Sequence, residues 1–155
     1  MYTLELKVNG LPYKVEVKAT TNLLEVLRDK LSITSPKVGC ETGDCGTCSV
    51  ILNGKLVKSC LVNALTAQGG EVLTLEGLGK PGALHPLQLA FHEHYAAQCG
   101  FCTPGMIMAA KALLDENPQP TAEEVKHYLS GNLCRCTGYI KIVDAVMAAA
   151  EEMRR

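Results

Sequence analysis

Eight cysteines fall into two groups along this chain: Cys40, Cys45, Cys48 and Cys60, then Cys99, Cys102, Cys134 and Cys136. The first three read C-x4-C-x2-C, and Cys60 follows after eleven intervening residues. That spacing suits thiolates holding a 2Fe–2S cluster. Two ferric ions, two sulfides and four thiolates carry a net charge of roughly −2, so backbone N–H donors must come close to the sulfurs. The segment Gly39-Cys40-Glu41-Thr42-Gly43-Asp44-Cys45-Gly46-Thr47-Cys48 places glycines where a backbone has to turn inward with no Cβ in the way.

The second group reads Cys99-x2-Cys102 and Cys134-x-Cys136. Each pair runs into a helical pattern, and Cys102-Thr103-Pro104-Gly105 echoes Cys136-Thr137-Gly138-Tyr139. Two helix N-termini converging on one site would turn unpaired N–H groups and positive dipole ends toward an anionic cluster. Arg135, between two thiolates, is available to offset further charge. By spacing alone the same four cysteines would also satisfy a closed tetrahedral zinc site, and that alternative stays open here. Eight cysteines could also pair as disulfides, but Met1–Val8 alternates like a strand and lacks the regions of a signal peptide. A cytoplasmic location, where thiols stay reduced, is the expectation.

These cysteines need elements to position them. Thr3–Val8 and Tyr13–Val17 alternate around Asn9-Gly10, and Ser49–Leu52 and Lys55–Lys58 flank Asn53-Gly54, so two hairpins are expected. Between them Asn22 caps a short helix with an apolar stripe of Leu23, Leu24, Val26, Leu27 and Leu31, and Glu71–Leu75 reads as a further strand. Strands around a single helix suggest a β-grasp sheet. Cys60 lies beyond the second hairpin, so folding that hairpin brings it to the loop. The Gly/Pro-rich stretch Gly77–Gly82 marks a boundary between domains 1–76 and 77–155.

After that stretch the period turns helical. Helices are expected over Pro86–Tyr95, over Pro104–Glu116 with Thr103 as cap, from the Thr121/Glu124 capping box to Ser130-Gly131, and over Tyr139–Met153. The buried side of the last draws on Ile140, Ile142, Val143, Val146 and Met147. Four helices in a segment this short imply a compact bundle. The fold class is therefore α+β: a β-grasp domain followed by a four-helix domain.

Composition narrows the function classes. In 155 residues, a net charge of −1 with 20% charged residues leaves no basic footprint for nucleic acid. No apolar run is long enough to cross a bilayer. No Ser/His/Asp set, phosphate loop or dinucleotide fingerprint is present, so no catalytic residue is expected on this chain. His85 precedes Pro86 as a helix cap; His92, His94 and His127 fall at helical positions expected to face solvent. Met106 and Met108 read as core.

The segments Gly39–Cys48, Gln98-Cys99-Gly100-Phe101-Cys102-Thr103-Pro104-Gly105-Met106 and Gly131-Asn132-Leu133-Cys134-Arg135-Cys136-Thr137-Gly138-Tyr139 carry a specific resemblance. Together they resemble the small iron–sulfur subunit of the molybdenum hydroxylases. This is the xanthine dehydrogenase family, which includes carbon monoxide dehydrogenase, nicotinate dehydrogenase, aldehyde oxidoreductase and 4-hydroxybenzoyl-CoA reductase. The resemblance implies two 2Fe–2S clusters, and it sets the zinc alternative aside. Cys99, Cys102, Cys134 and Cys136 would hold the one nearer molybdenum; Cys40, Cys45, Cys48 and Cys60 would hold the one nearer the flavin. It further implies a large partner subunit with a molybdopterin cofactor, in its dinucleotide form, and a medium subunit with FAD, assembled as a dimer of heterotrimers. Gln98 resembles the glutamine that contacts the pterin, and Cys136 the cysteine lying closest to it. The alternative is a freestanding two-cluster ferredoxin; the near-neutral charge favours a subunit held by an apolar interface over a carrier steered by charge.

Overall fold

The computed structural model describes residues 1–155. Asn9 and Gly10 both take positive φ (51° and 81°), the conformation a two-residue hairpin turn demands, and join β1 (Tyr2–Val8) to β2 (Leu11–Val17). Asn53 and Gly54 repeat this turn between β3 (Ser49–Leu52) and β4 (Lys55–Lys58). A short strand β5 (Glu71–Leu73) completes a five-stranded sheet of order β2-β1-β5-β3-β4, in which only β1 and β5 run parallel. Alternation along β1 buries Leu4, Leu6 and Val8 on one face.

Against that face packs α1 (Leu23–Glu25), whose first turn is tied by the Asn22 side chain accepting from the Glu25 N–H. The helix continues at once as one π-helical turn over Val26–Lys30, which closes with the Leu31 N–H on the Val26 carbonyl. Leu23, Leu24, Val26 and Leu27 are buried as the stripe requires. The strand expected over Glu71–Leu75 is shorter, because the Asn9 side chain accepts from the Thr74 N–H and donates to its hydroxyl, ending the ladder.

The second half is helical: α2 (Pro86–Glu93), α3 (Thr103–Glu116), α4 (Ala122–Tyr128) and α5 (Ile140–Glu152). Contacts run α2 to α3, α3 to α4, α4 to α5 and α5 back to α2, around a core that includes Leu87, Phe91, Met106, Val125, Ile142 and Val146. The His85 ring nitrogen accepts from the Leu87 N–H, and the His85 N–H donates to the Gln88 side-chain oxygen, so His85 does cap its helix. His94 lies half-buried at the end of α2 rather than facing solvent, because the chain turns there through Tyr95 at φ 54°. The Thr121/Glu124 box forms as expected.

Two further expectations need correction. Thr103 is the first residue of α3, with Cys102 in the cap position, so its hydroxyl faces inward and caps nothing. Ile140, assigned to the buried side of α5, is exposed, because the helix begins only there and Tyr139 stands before it in the left-handed region.

α3 is apolar over most of its length and buried from Gly105 to Ala110 and from Ala112 to Leu114; its charged residues are Lys111, Asp115 and Glu116. One side meets the other helices; the opposite side lays Met108 and Ala112 against Ile51 of β3. The sheet and the helical half therefore share a seam, and both cysteine groups lie at its end.

Candidate metal centres

The loop between the π-turn and β3 wraps around Cys40. Its sulfur accepts from the backbone N–H groups of Thr42, Asp44 and Cys45, each at 3.3 Å. The Thr42 hydroxyl and the N–H groups of Cys45 and Thr42 pull the Cys40 thiol down to about 6. Three donors can reach one sulfur because Glu41 and Gly43, within the loop that carries them, take positive φ. Gly39 needs to be glycine for another reason: a Cβ there would stand 2.6 Å from the Cys45 sulfur and 2.7 Å from the Thr47 hydroxyl.

Cys60 arrives on the 3-10 turn that follows β4, as the hairpin expectation requires. Its sulfur lies 3.4 Å from that of Cys48, and the buried Ser59 hydroxyl donates to the Cys48 carbonyl at 2.7 Å. Burial first, then the Cys48 sulfur, pushes the Cys60 thiol up to about 11. Such a thiol ionises readily only when a cation takes the proton's place.

In the second group Cys102, at the start of α3, meets Cys134, which lies in the turn ahead of α5. Burial, then the neighbouring Cys134, pushes the Cys102 thiol up to about 12. Partial burial opposes ionisation of Cys134 as well, but the Thr137 hydroxyl at 3.1 Å and its N–H at 3.4 Å outweigh it and hold the thiol low. Cys99 and Cys136 are exposed, as is Gln98. The Cys99 sulfur is near enough to raise Cys102 electrostatically, while Cys136 directs its backbone N–H toward Cys134. The donors at Cys134 thus come from the Cys136–Thr137 turn rather than from the first turn of α5.

Sequence reasoning missed how the two groups are joined. Leu133 donates its N–H to the Cys45 carbonyl at 2.9 Å, placing residues next to Cys134 directly on the first loop. Buried Asn132 donates to the Gly46 carbonyl at 3.0 Å and to the Ser49 hydroxyl at 3.2 Å. The Lys58 ammonium bonds the Gly131 carbonyl at 2.6 Å. Gly105 in α3 backs directly onto the Gly46 carbonyl, closer than any Cβ could come. The asparagine two residues before Cys134 was the available signal.

Two pairs of sulfurs meet, Cys48 with Cys60 and Cys102 with Cys134; no three Cys, His, Asp or Glu side chains gather about one point as a single ion would need. Paired thiolates with inward N–H groups and glycine gaps fit the donor needs of 2Fe–2S clusters. Residues 6–74 match the family described as 2Fe-2S iron-sulfur cluster binding domain, and residues 74–147 match that described as 2Fe-2S binding domain. The chain is thus an iron–sulfur protein with two 2Fe–2S binding domains.

It is 48% identical to one of the nicotinate dehydrogenase subunits of Pseudomonas putida, over 99% of this chain and 98% of that one. Identity to the nicotinate dehydrogenase small FeS subunit of Eubacterium barkeri is 49%, over 96% and 95%. Among solved structures, quinoline 2-oxidoreductase from Pseudomonas putida 86 superposes with a TM-score of 0.95 at 43% identity, covering 99% of this chain and 96% of that one. The aldehyde oxidoreductase of Desulfovibrio desulfuricans gives 0.96 at 52% identity, with this chain spanning 99% of its own length but 17% of that larger chain. The chain belongs to the 2Fe–2S subunits of the molybdenum hydroxylase, or xanthine dehydrogenase, family of oxidoreductases. No helix is long and apolar enough to cross a membrane.

Proposed function

We propose that this chain is the electron-transfer subunit of a heteromeric molybdenum hydroxylase, standing between the molybdopterin centre of a large subunit, on one side, and the FAD of a medium one. In this reading a β-grasp domain over 1–76 holds one 2Fe–2S cluster through Cys40, Cys45, Cys48 and Cys60. A four-helix domain over 77–155 holds the other through Cys99, Cys102, Cys134 and Cys136. A bound 2Fe–2S cluster supplies reversible one-electron chemistry. The chain's own residues set its surroundings: backbone N–H groups from Thr42, Asp44 and Cys45 offset thiolate charge at Cys40, and the Leu133–Cys45 hydrogen bond holds the two groups together.

The observation that carries the reading is that hydrogen bond, which leaves one noncovalent step between a cysteine of each group. Exposed apolar side chains support partners on two sides. Phe101, Leu133 and Ile140 lie near Cys99 and Cys136, and Val38 and Leu61 lie near Cys40 and Cys60. Gln98 and Cys136, both exposed, are the contacts proposed for the pterin side. A dimer of heterotrimers in the cytoplasm completes the proposal.

Purification of the native protein under anaerobic conditions tests it. Molybdenum, flavin and two further subunits should co-elute with this chain, and Gln98→Ala should slow reduction of its clusters by substrate without loss of iron. A monomer free of molybdenum and flavin would instead identify a freestanding two-cluster carrier and overturn the proposal.

A further inference from the structure

Three hydrogen bonds close a small ring at Cys134. The Cys134 N–H donates to the Tyr139 hydroxyl at 3.0 Å, the Tyr139 N–H donates to the Thr137 hydroxyl at 3.2 Å, and Thr137 Oγ1 reaches the Cys134 sulfur at 3.1 Å. The ring fixes which way the threonine proton points. Its oxygen already accepts from Tyr139, and a metal-bound thiolate has no proton to give, so the O–H can only donate to sulfur. Tyr139 is held at φ 71°, a left-handed conformation that a bulky residue adopts at a cost. The second threonine of the repeated Cys-Thr motif behaves differently: Thr103 Oγ1 is buried and meets no partner within the chain.

We propose that Thr137, oriented by Tyr139, is a positioning residue that tunes the reduction potential of the cluster held in part by Cys134. The proposal rests on the reading of Cys134 as a cluster ligand. A hydrogen bond to thiolate withdraws charge from sulfur and stabilises the reduced, more negative cluster over the oxidised one. Removing it shifts the potential downward. The Thr47 hydroxyl lies 3.2 Å from the Cys45 sulfur but donates to the Lys37 carbonyl, and no tyrosine closes a ring there; Thr137 bonds the Cys134 sulfur and no sulfur of the first group, so the two clusters should respond separately.

The test is an EPR-monitored redox titration of the cluster-loaded protein, wild type against Thr137→Val and Thr137→Ser. In the valine variant the midpoint of one cluster signal should move negative, leaving it severalfold less reduced at the wild-type midpoint. The other signal should stay in place, and serine should restore the first. Unchanged midpoints at full iron content would overturn the proposal. Should valine not hold the cluster, Thr137→Ala removes the same hydroxyl without bulk and should give the same shift. Cluster loss in both, with retention in serine, would make the hydroxyl a requirement for assembly and also overturn the proposal. Cys134→Ser is the separate check on the underlying reading: if both EPR signals survive it unaltered, the ligand assignment fails rather than the role of Thr137.

Discussion

Replacing Gly105 with alanine would drive a methyl group into the seam between the two halves. The added Cβ would meet the Gly46 carbonyl oxygen closer than real Cβ atoms ever stand, with the Gly46 carbonyl carbon and Thr47 Cα each at 3.3 Å. All three are backbone atoms of the first cysteine loop, so no flexible side chain can swing away. Overpacking of this kind costs typically about 1–3 kcal/mol, and an immovable backbone contact belongs at the upper end. Alanine recovers up to about 1 kcal/mol of helix propensity in α3. The net loss is about 2 kcal/mol, or roughly 4–8 °C in Tm for a chain of this size. Gly131→Ala is the control, since its Cβ would meet only the flexible end of Lys58 at 3.3 Å; its stability should stay within about 0.5 kcal/mol of wild type. Thermal unfolding of both variants, followed by circular dichroism, checks this. Equal stability of Gly105→Ala and wild type, or an equal loss in both variants, would refute the steric reasoning.

Cys60→Ser should abolish one cluster EPR signal and spare the other; loss of both would contradict separate centres. Asn132→Ala removes a buried donor from the Gly46 carbonyl and the Ser49 hydroxyl, which keep the Ser49 N–H and the Lys58 ammonium, at a cost of about 0.5–1.5 kcal/mol, visible as a lower urea midpoint. Glu76 is a pH-sensitive tie between the linker and the loop at Ser35. Burial raises its pKa, but hydrogen bonds from the Ser35 hydroxyl and N–H and from Thr74 outweigh this and hold it below the usual carboxylate range. A depressed folded value contributes stability that is present above the unfolded pKa of about 4.3 and lost as pH falls through the folded one. Glu76→Gln should therefore be less stable than wild type at pH 7, with the difference in Tm narrowing below about pH 4.

Much of the fold could be read from local signals. Asn-Gly turns with alternating flanks set both hairpins, and the caps at Asn22, His85 and Thr121 form because each is satisfied within three residues. Element ends were harder. The strand at Glu71 stops early because Asn9, more than sixty residues away, competes for the Thr74 backbone. Thr103 looked like a cap by type, yet α3 starts one residue sooner and the hydroxyl turns inward. The cysteine groups stood out by spacing, but which sulfurs approach each other depends on tertiary closure, as for Cys48 with Cys60 and Cys102 with Cys134. Least legible was the seam: neither the Leu133–Cys45 hydrogen bond nor the Gly105–Gly46 approach leaves a periodic trace in the sequence.

Low-temperature EPR of the dithionite-reduced protein, with iron and acid-labile sulfide measured on the same sample, tests the central claim most directly. Two distinct S = 1/2 signals with about four irons and four sulfides per chain are predicted, as two 2Fe–2S clusters require. A single signal, or zinc in place of half the iron, would contradict it and reduce the helical half to a structural metal site.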